Sequence, residues 1–168
     1  MSDEPGSTTL QTKPAQEQKP VLKLSRFLPY QLNHLAETVS RSFSRIYAEK
    51  YGIGIPEWRV VATLGEYKAL TARDISRSTS MHKTKVSRAV AALEKRGLIV
   101  RDRNPDDQRE QTLKLSPKGS RMYQDIVPDA LAYSAELQDA LTEEQKALLD
   151  DIFERLHKAA RSLGSDGH

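Results

Sequence analysis

Cysteine is absent from this 168-residue chain. That absence excludes a disulfide framework, a thiolate-bound metal and any sensing of oxidants through a thiol. Aromatic residues are scarce at 6%, beside 38% hydrophobic residues, so the chain has material for a core but a lean one. No apolar run approaches the roughly 20 residues needed to cross a bilayer. The opening "MSDEPGSTTLQTKPAQEQKP" lacks the apolar centre of a signal peptide. A cytoplasmic location without membrane attachment is the expectation by default. Four histidines, His34, His82, His157 and His168, stand far apart and without metal-ligand spacing. No nucleophile elbow, phosphate loop or dinucleotide fingerprint occurs. The acidic pairs Glu143-Glu144 and Asp150-Asp151 are better explained as helix-dipole partners and solvated faces than as catalytic pairs. These absences predict a protein that is not an enzyme and carries neither metal nor cofactor.

What is present is an uneven distribution of charge. The net charge is only +3, but residues 71–109 hold ten Lys/Arg against five Asp/Glu. That block carries +5 and leaves −2 for everything else, the footprint of a polyanion-binding surface.

Residues 1–22 are polar and rich in Pro, Gln, Thr and Ser, which predicts a disordered arm. Beyond them Leu28, Leu32, Leu35, Val39, Phe43 and Ile46 recur at helical spacing, ending near Gly52 or Gly54. Pro56 opens a second helix. Thr71, with Asp74 three residues on, resembles a capping box for a short third helix reaching about Thr79. Ser80 is the expected cap of the fourth. In that fourth helix Val86, Ala89, Val90 and Leu93 form one apolar stripe, and Thr84, Arg88, Ala91 and Lys95 lie opposite. After Gly97, "LIVRDR" and "QTLKLS" flank "NPDDQRE" as two strands around a charged turn. Ser116-Pro117 starts a further helix, in which Pro128 should kink or interrupt the run. Thr142 and Gln145 box the start of the last.

Two short helices followed by a two-stranded hairpin give the layout of a winged helix-turn-helix. The expected fold class is mainly α with a small β-hairpin, comprising a DNA-binding lobe and a helical dimerisation body. In this layout the basic helix occupies the recognition position. Lys83, Thr84, Lys85, Ser87 and Arg88 crowd its N-terminal half, the end that reaches base edges in a major groove, and Lys95 suits a phosphate. A solvated helix face is the competing reading of the same residues. At the hairpin tip Asp107 could orient Arg109 toward a narrow minor groove, while Arg101 and Arg103 could serve phosphates instead. His82 begins the basic stretch and belongs to the same predicted interface.

"YGIGIPEWRVVATL", "MHKTKVSRAVAALEKRGLI" and "RDRNPDDQREQTLKLSPKG" resemble the MarR family of bacterial winged-helix regulators, over about Leu24 to Ala160. The Asp-x-Arg tip, followed by a strand and a Leu-[Thr/Ser]-x-x-Gly helix start, is the most specific piece. Gln108 stands where the family commonly has Arg, removing one cation per wing, and Ser116 stands where it commonly has Thr. The resemblance implies a single domain over 23–163, with 23–52 and 117–163 as dimerisation helices, 55–116 as the winged helix-turn-helix and 164–168 as a tail. It implies a homodimer on double-stranded DNA. The long apolar stripes of the terminal helices point the same way, since a lean lobe cannot cover them; intramolecular packing is the alternative.

The resemblance also places small ligands near the first two helices. There Arg26, Phe27, Tyr30, Asn33 and His34, with Trp58 and Arg59, offer cations, flat surfaces and hydrogen-bonding groups suited to an organic anion. An aromatic carboxylate or an acyl coenzyme A thioester fits that set. Trp58, Phe43 and Tyr47 also read as simple core. The expectation is a sequence-specific repressor released by such a ligand from a pseudo-palindromic operator. A ligand-independent architectural DNA binder and a winged-helix protein–protein module are the alternatives.

Overall fold

A computed structural model describes residues 20–103 and 111–165. The chain divides into two compact units, residues 1–36 and 37–168. In the first, a 3-10 turn at Leu24–Arg26 leads into α1 (Leu28–Tyr51). The Gln31 side chain donates to the Ser25 carbonyl at 2.8 Å, holding the turn against the start of the helix. Phe27, Leu28, Leu32 and Leu35 are exposed.

The second unit takes the rest of α1, then α2 (Ile55–Tyr67), β1 (Ala69–Thr71), α3 (Ala72–Thr79), α4 (Lys83–Lys95), β2 (Ile99–Arg103), β3 (Gln111–Leu115), α5 (Pro117–Gln138) and α6 (Glu143–Ser165). Its core joins Tyr47 of α1, Val60, Val61 and Leu64 of α2, Ile75 of α3, the α4 stripe, Leu113 of β3 and Ile126 of α5. The stripe is the one that helical spacing predicts: Val86, Ala89, Val90 and Leu93 are the buried residues of α4. On α1 it is Tyr47, rather than its neighbour Ile46, that is buried.

Local chemistry sets the boundaries. Gly52 ends α1 at a φ of +61°, and Glu57 accepts from the Gly54 N–H at 3.0 Å to start α2. The Thr71 hydroxyl accepts the Asp74 N–H at 3.1 Å and donates to the Asp74 carboxylate at 2.6 Å. The short Asp thus closes the box on the hydroxyl. That hydrogen bond also holds the Asp74 carboxyl below its ordinary pKa. The Thr142–Gln145 box closes at both ends, at 2.9 and 3.2 Å.

Three expectations need correction. The wing is three-stranded: β1 pairs antiparallel with β3, giving the order β1-β3-β2. A strand of three residues shows no alternation, and its partner lies some forty positions away. Ser80 is the left-handed C-cap of α3, and His82 caps α4, its Nδ1 accepting from the Thr84 N–H at 3.3 Å. Pro128 does not interrupt α5, which runs through it. The proline removes one backbone donor, a cost that a long helix tolerates when its neighbours hold.

Candidate nucleic-acid interface and neighbouring cavity

Helix α4 packs on α2, α3 and β2 through its apolar stripe. Burying one side fixes what the other presents. His82, Lys83, Thr84, Lys85, Ser87, Arg88 and Lys95 are all exposed. Among the described residues none of the four cations has a carboxylate partner. The first turn of α4 contains no acid, although the positive end of the helix dipole favours one. Two lysines stand there instead. The helix gives up a few tenths of a kcal/mol of intrinsic stability and gains a concentrated positive end, which is what a phosphate backbone attracts.

The helix-turn-helix is held rigidly. Ser76 Oγ donates to the Met81 carbonyl at 2.6 Å across the turn, and Met81 itself is buried. At the far end of α4, Gly97 N–H reaches Glu94 O at 2.9 Å and Leu98 N–H reaches Leu93 O at 3.0 Å. With Gly97 at a φ of +65°, this is a Schellman termination. Arg96 then donates to the carbonyls of Tyr51 and of Gly52, the latter at 2.9 Å, tying α4 to the end of α1. Ser116 anchors the next element: its Oγ donates to Gly97 O at 2.7 Å and accepts from Gly119 N–H at 3.0 Å.

Of the predicted wing residues, Arg101 lies on β2 and Arg103 ends it. Asp107 and Arg109, with Gln108, lie outside the described residues. Arg101 is not a free cation. Its Nε and Nη2 donate to the two Glu94 carboxylate oxygens at 2.5 and 2.8 Å, and its Nη1 to Gln111 Oε1 at 3.3 Å. The Glu94 hydrogen bonds hold the guanidinium pKa above its ordinary value.

Of the predicted ligand set, Arg26, Phe27, Tyr30, Asn33 and His34 belong to the first unit, where the rings of Tyr30 and His34 stack with centroids 6.1 Å apart. Trp58 and Arg59 belong to the second. There they line a cavity of about 280 Å³ with Val39, Ser40, Phe43, Tyr47, Ile55, Tyr133, Ser134 and Leu137. Phe43 meets the Tyr47, Trp58 and Tyr133 rings at 5.2, 5.6 and 5.2 Å, and Tyr47 stacks on Trp58 at 5.4 Å. Tyr47 and its neighbours therefore form core and cavity wall together. Burial pushes the Tyr47 phenol up to about 12, against a smaller opposing pull from Arg59. Half-buried Arg59 has no carboxylate partner among the described residues; its Nη2 lies 3.4 Å from Ser40 Oγ. Tyr133 also lines the cavity, although no sequence pattern singles it out. It stands 94 positions from Val39, whose carbonyl its hydroxyl meets at 3.1 Å, and no local pattern reports such a contact.

Among the described residues no helix is long and apolar enough to cross a membrane. The MarR family pattern matches residues 53–111. The chain is 28% identical over 109 residues to the HTH-type transcriptional regulator FarR of Neisseria gonorrhoeae, spanning 65% of this chain and 75% of that one. It is similar in structure to a MarR/EmrR family transcriptional regulator from Acinetobacter sp. ADP1, with a TM-score of 0.77 and 26% identity over 84% of this chain and 99% of the other. It shares the fold alone with Bordetella bronchiseptica BpsR, a protein whose DNA binding is regulated by 6-hydroxynicotinic acid. There the TM-score is 0.63 and the identity 18%, over 76% of this chain and 98% of the other.

Proposed function

We propose that this chain, which belongs to the MarR family of winged-helix transcriptional regulators, acts in the cytoplasm as a homodimeric, sequence-specific repressor that a small aromatic acid releases from DNA. The observation that carries the DNA-binding part is the outward face of α4. Four exposed cations without carboxylate partners among the described residues stand on a helix whose apolar stripe is locked in the core. Solvated surface helices usually mix signs and place acids in the first turn. This one concentrates donors where major-groove entry needs them.

Dimerisation is supported by the unburied apolar surface. Leu131 and Leu137 of α5 and Leu148, Ile152, Phe153 and Leu163 of α6 are exposed, and no described residue of α6 is fully buried. Such a surface is costly in water unless a second copy covers it. Two recognition helices related by a twofold axis then call for half-sites about one helical turn apart.

The ligand reading rests on the cavity. An aromatic wall beside a guanidinium with no carboxylate partner suits a flat anion. At about 280 Å³ the space lies near the lower end of small-molecule sites, roughly 300–1,000 Å³. It holds one ring or a fused pair, which favours the aromatic acid over a coenzyme A thioester. A ligand preference of about 3 kcal/mol for the DNA-incompetent state would lower DNA affinity by up to roughly a hundredfold.

Selection of duplexes from a random library, followed by footprinting of the winner, tests the central claim. A twofold-symmetric protected site is expected. Selection of no sequence, or protection of a lone asymmetric half-site at saturation, would refute it.

A further inference from the structure

Glu94 occupies the last turn of α4, the end of the helix dipole that disfavours a carboxylate. It also sits on the element that must meet a polyanion. Both facts argue against a bare acid at this position, and it is not bare. Arg101 engages it fork to fork, Nε to Oε1 at 2.5 Å and Nη2 to Oε2 at 2.8 Å, while Nη1 reaches Gln111 Oε1 at 3.3 Å. One guanidinium thus joins α4, β2 and β3. In the sheet register Arg101 lies opposite Leu113, which is buried, so its side chain leaves β2 on the face turned toward the core. Between α4 and β2 the chain supplies only the short turn 96–98; the base of the hairpin is held by β1 and by the buried Ile99 and Leu113, and the fork adds a direct link from the hairpin to the last turn of α4.

We infer that Arg101 is a positioning residue for DNA binding, bracing the base of the hairpin against the recognition helix through Glu94 rather than contacting a phosphate. The inference rests on the DNA-binding reading above. Three of the five guanidinium donors are already engaged, and the Glu94 charge cancels the attraction that a phosphate would feel. By contrast Lys83, Lys85, Arg88 and Lys95 have no such partner among the described residues. A hairpin held at one angle lets helix and wing engage the duplex together. A hairpin free to swing reduces apparent affinity by the fraction of time spent out of place.

The two roles predict opposite signs. If Arg101 held a phosphate, replacing Glu94 by Gln would remove a repulsive charge and strengthen binding, and Arg101→Lys would stay close to wild type. As a brace, Glu94→Gln, Arg101→Lys and Arg101→Ala each weaken binding about tenfold, because none of them keeps the charged fork. The exchanged pair, Glu94→Arg with Arg101→Glu, recovers part of the loss. The probe is a labelled duplex selected by the wild-type chain, titrated at fixed salt, with melting temperatures measured alongside. Weakening by Glu94→Gln at an unchanged melting temperature, with recovery in the exchanged pair, supports the brace. Equal or tighter binding by Glu94→Gln, or wild-type binding by Arg101→Lys, overturns it. A loss of affinity that follows the melting temperature through the series also overturns it, by showing a purely structural role. If the wild-type chain selects no duplex, the DNA-binding reading itself falls, a result distinct from any difference among variants.

Discussion

Gly119 approaches Leu98 so closely that a β-carbon on it would lie 1.9 Å from the Leu98 carbonyl oxygen. Leu98 follows the turn that ends α4, and Ser116 holds the same turn through the Gly97 carbonyl. The contact lets the start of α5 sit directly on the exit of α4. Gly119→Ala should therefore destabilise the fold by about 1–3 kcal/mol or more, because backbone rather than a flexible side chain must move. Chemical denaturation measures it; a loss below a few tenths would mean that the turn yields freely.

On the face of α4, Arg88→Ala should cost about 1–3 kcal/mol on the selected duplex and less on random DNA, as a base contact does. Lys95→Ala should weaken both alike and reduce the salt slope by about one. Neither residue supports the core, so melting temperatures should hold. An unchanged ratio of specific to random binding for Arg88→Ala would remove its base-reading role.

In the cavity, Arg59→Gln keeps a donor for Ser40 but loses the charge. The wild-type chain should gain thermal stability from millimolar aromatic acids, in proportion to the logarithm of their concentration over Kd. The variant should lose that response while still binding DNA. If uncharged isosteres of the acids stabilise both proteins equally, the guanidinium is not the anion's partner.

The Tyr47 phenol gives a pH dependence of definite sign. Its folded pKa is raised from 10.0 to about 12, so above pH 10 the unfolded chain loses this proton while the folded chain retains it. Stability should fall between about pH 10 and 12, by about 2–3 kcal/mol in all. Tyr47→Phe should flatten that segment of the stability–pH curve. A phenolate absorbance rise at the ordinary tyrosine pKa for all residues would contradict the burial argument.

On α6, Ile152 is exposed on an apolar face with Leu148 one turn before it. Ile152→Lys should leave helix content intact but shift sedimentation from dimer to monomer and weaken DNA binding with it. A dimer that survives this change would place the interface elsewhere.

Much of this molecule can be read along the chain, and the reason is physical. The α4 stripe, the Thr142–Gln145 box, the glycine that ends α4 and the basic excess of residues 71–109 are local patterns. Helical periodicity, cap chemistry and charge need no partner beyond a turn or two of chain. Ser80 marks where such reasoning slips. Both Ser80 and His82 can cap a helix, and the choice fell to the left-handed turn that buries Met81 and frees Ser80 to end α3. The rest was decided only when distant segments met. β1 exists because β3 offers it hydrogen bonds, and Tyr133 reaches the cavity because α5 brings it to Val39 and Phe43. Arg101 reads as one more cation until the fold sets it against Glu94, seven residues earlier, and Gln111, ten residues later. Charge is a property of the sequence, but whether it stays available to a partner or is spent inside the protein depends on which side chains the tertiary structure brings within hydrogen-bond reach.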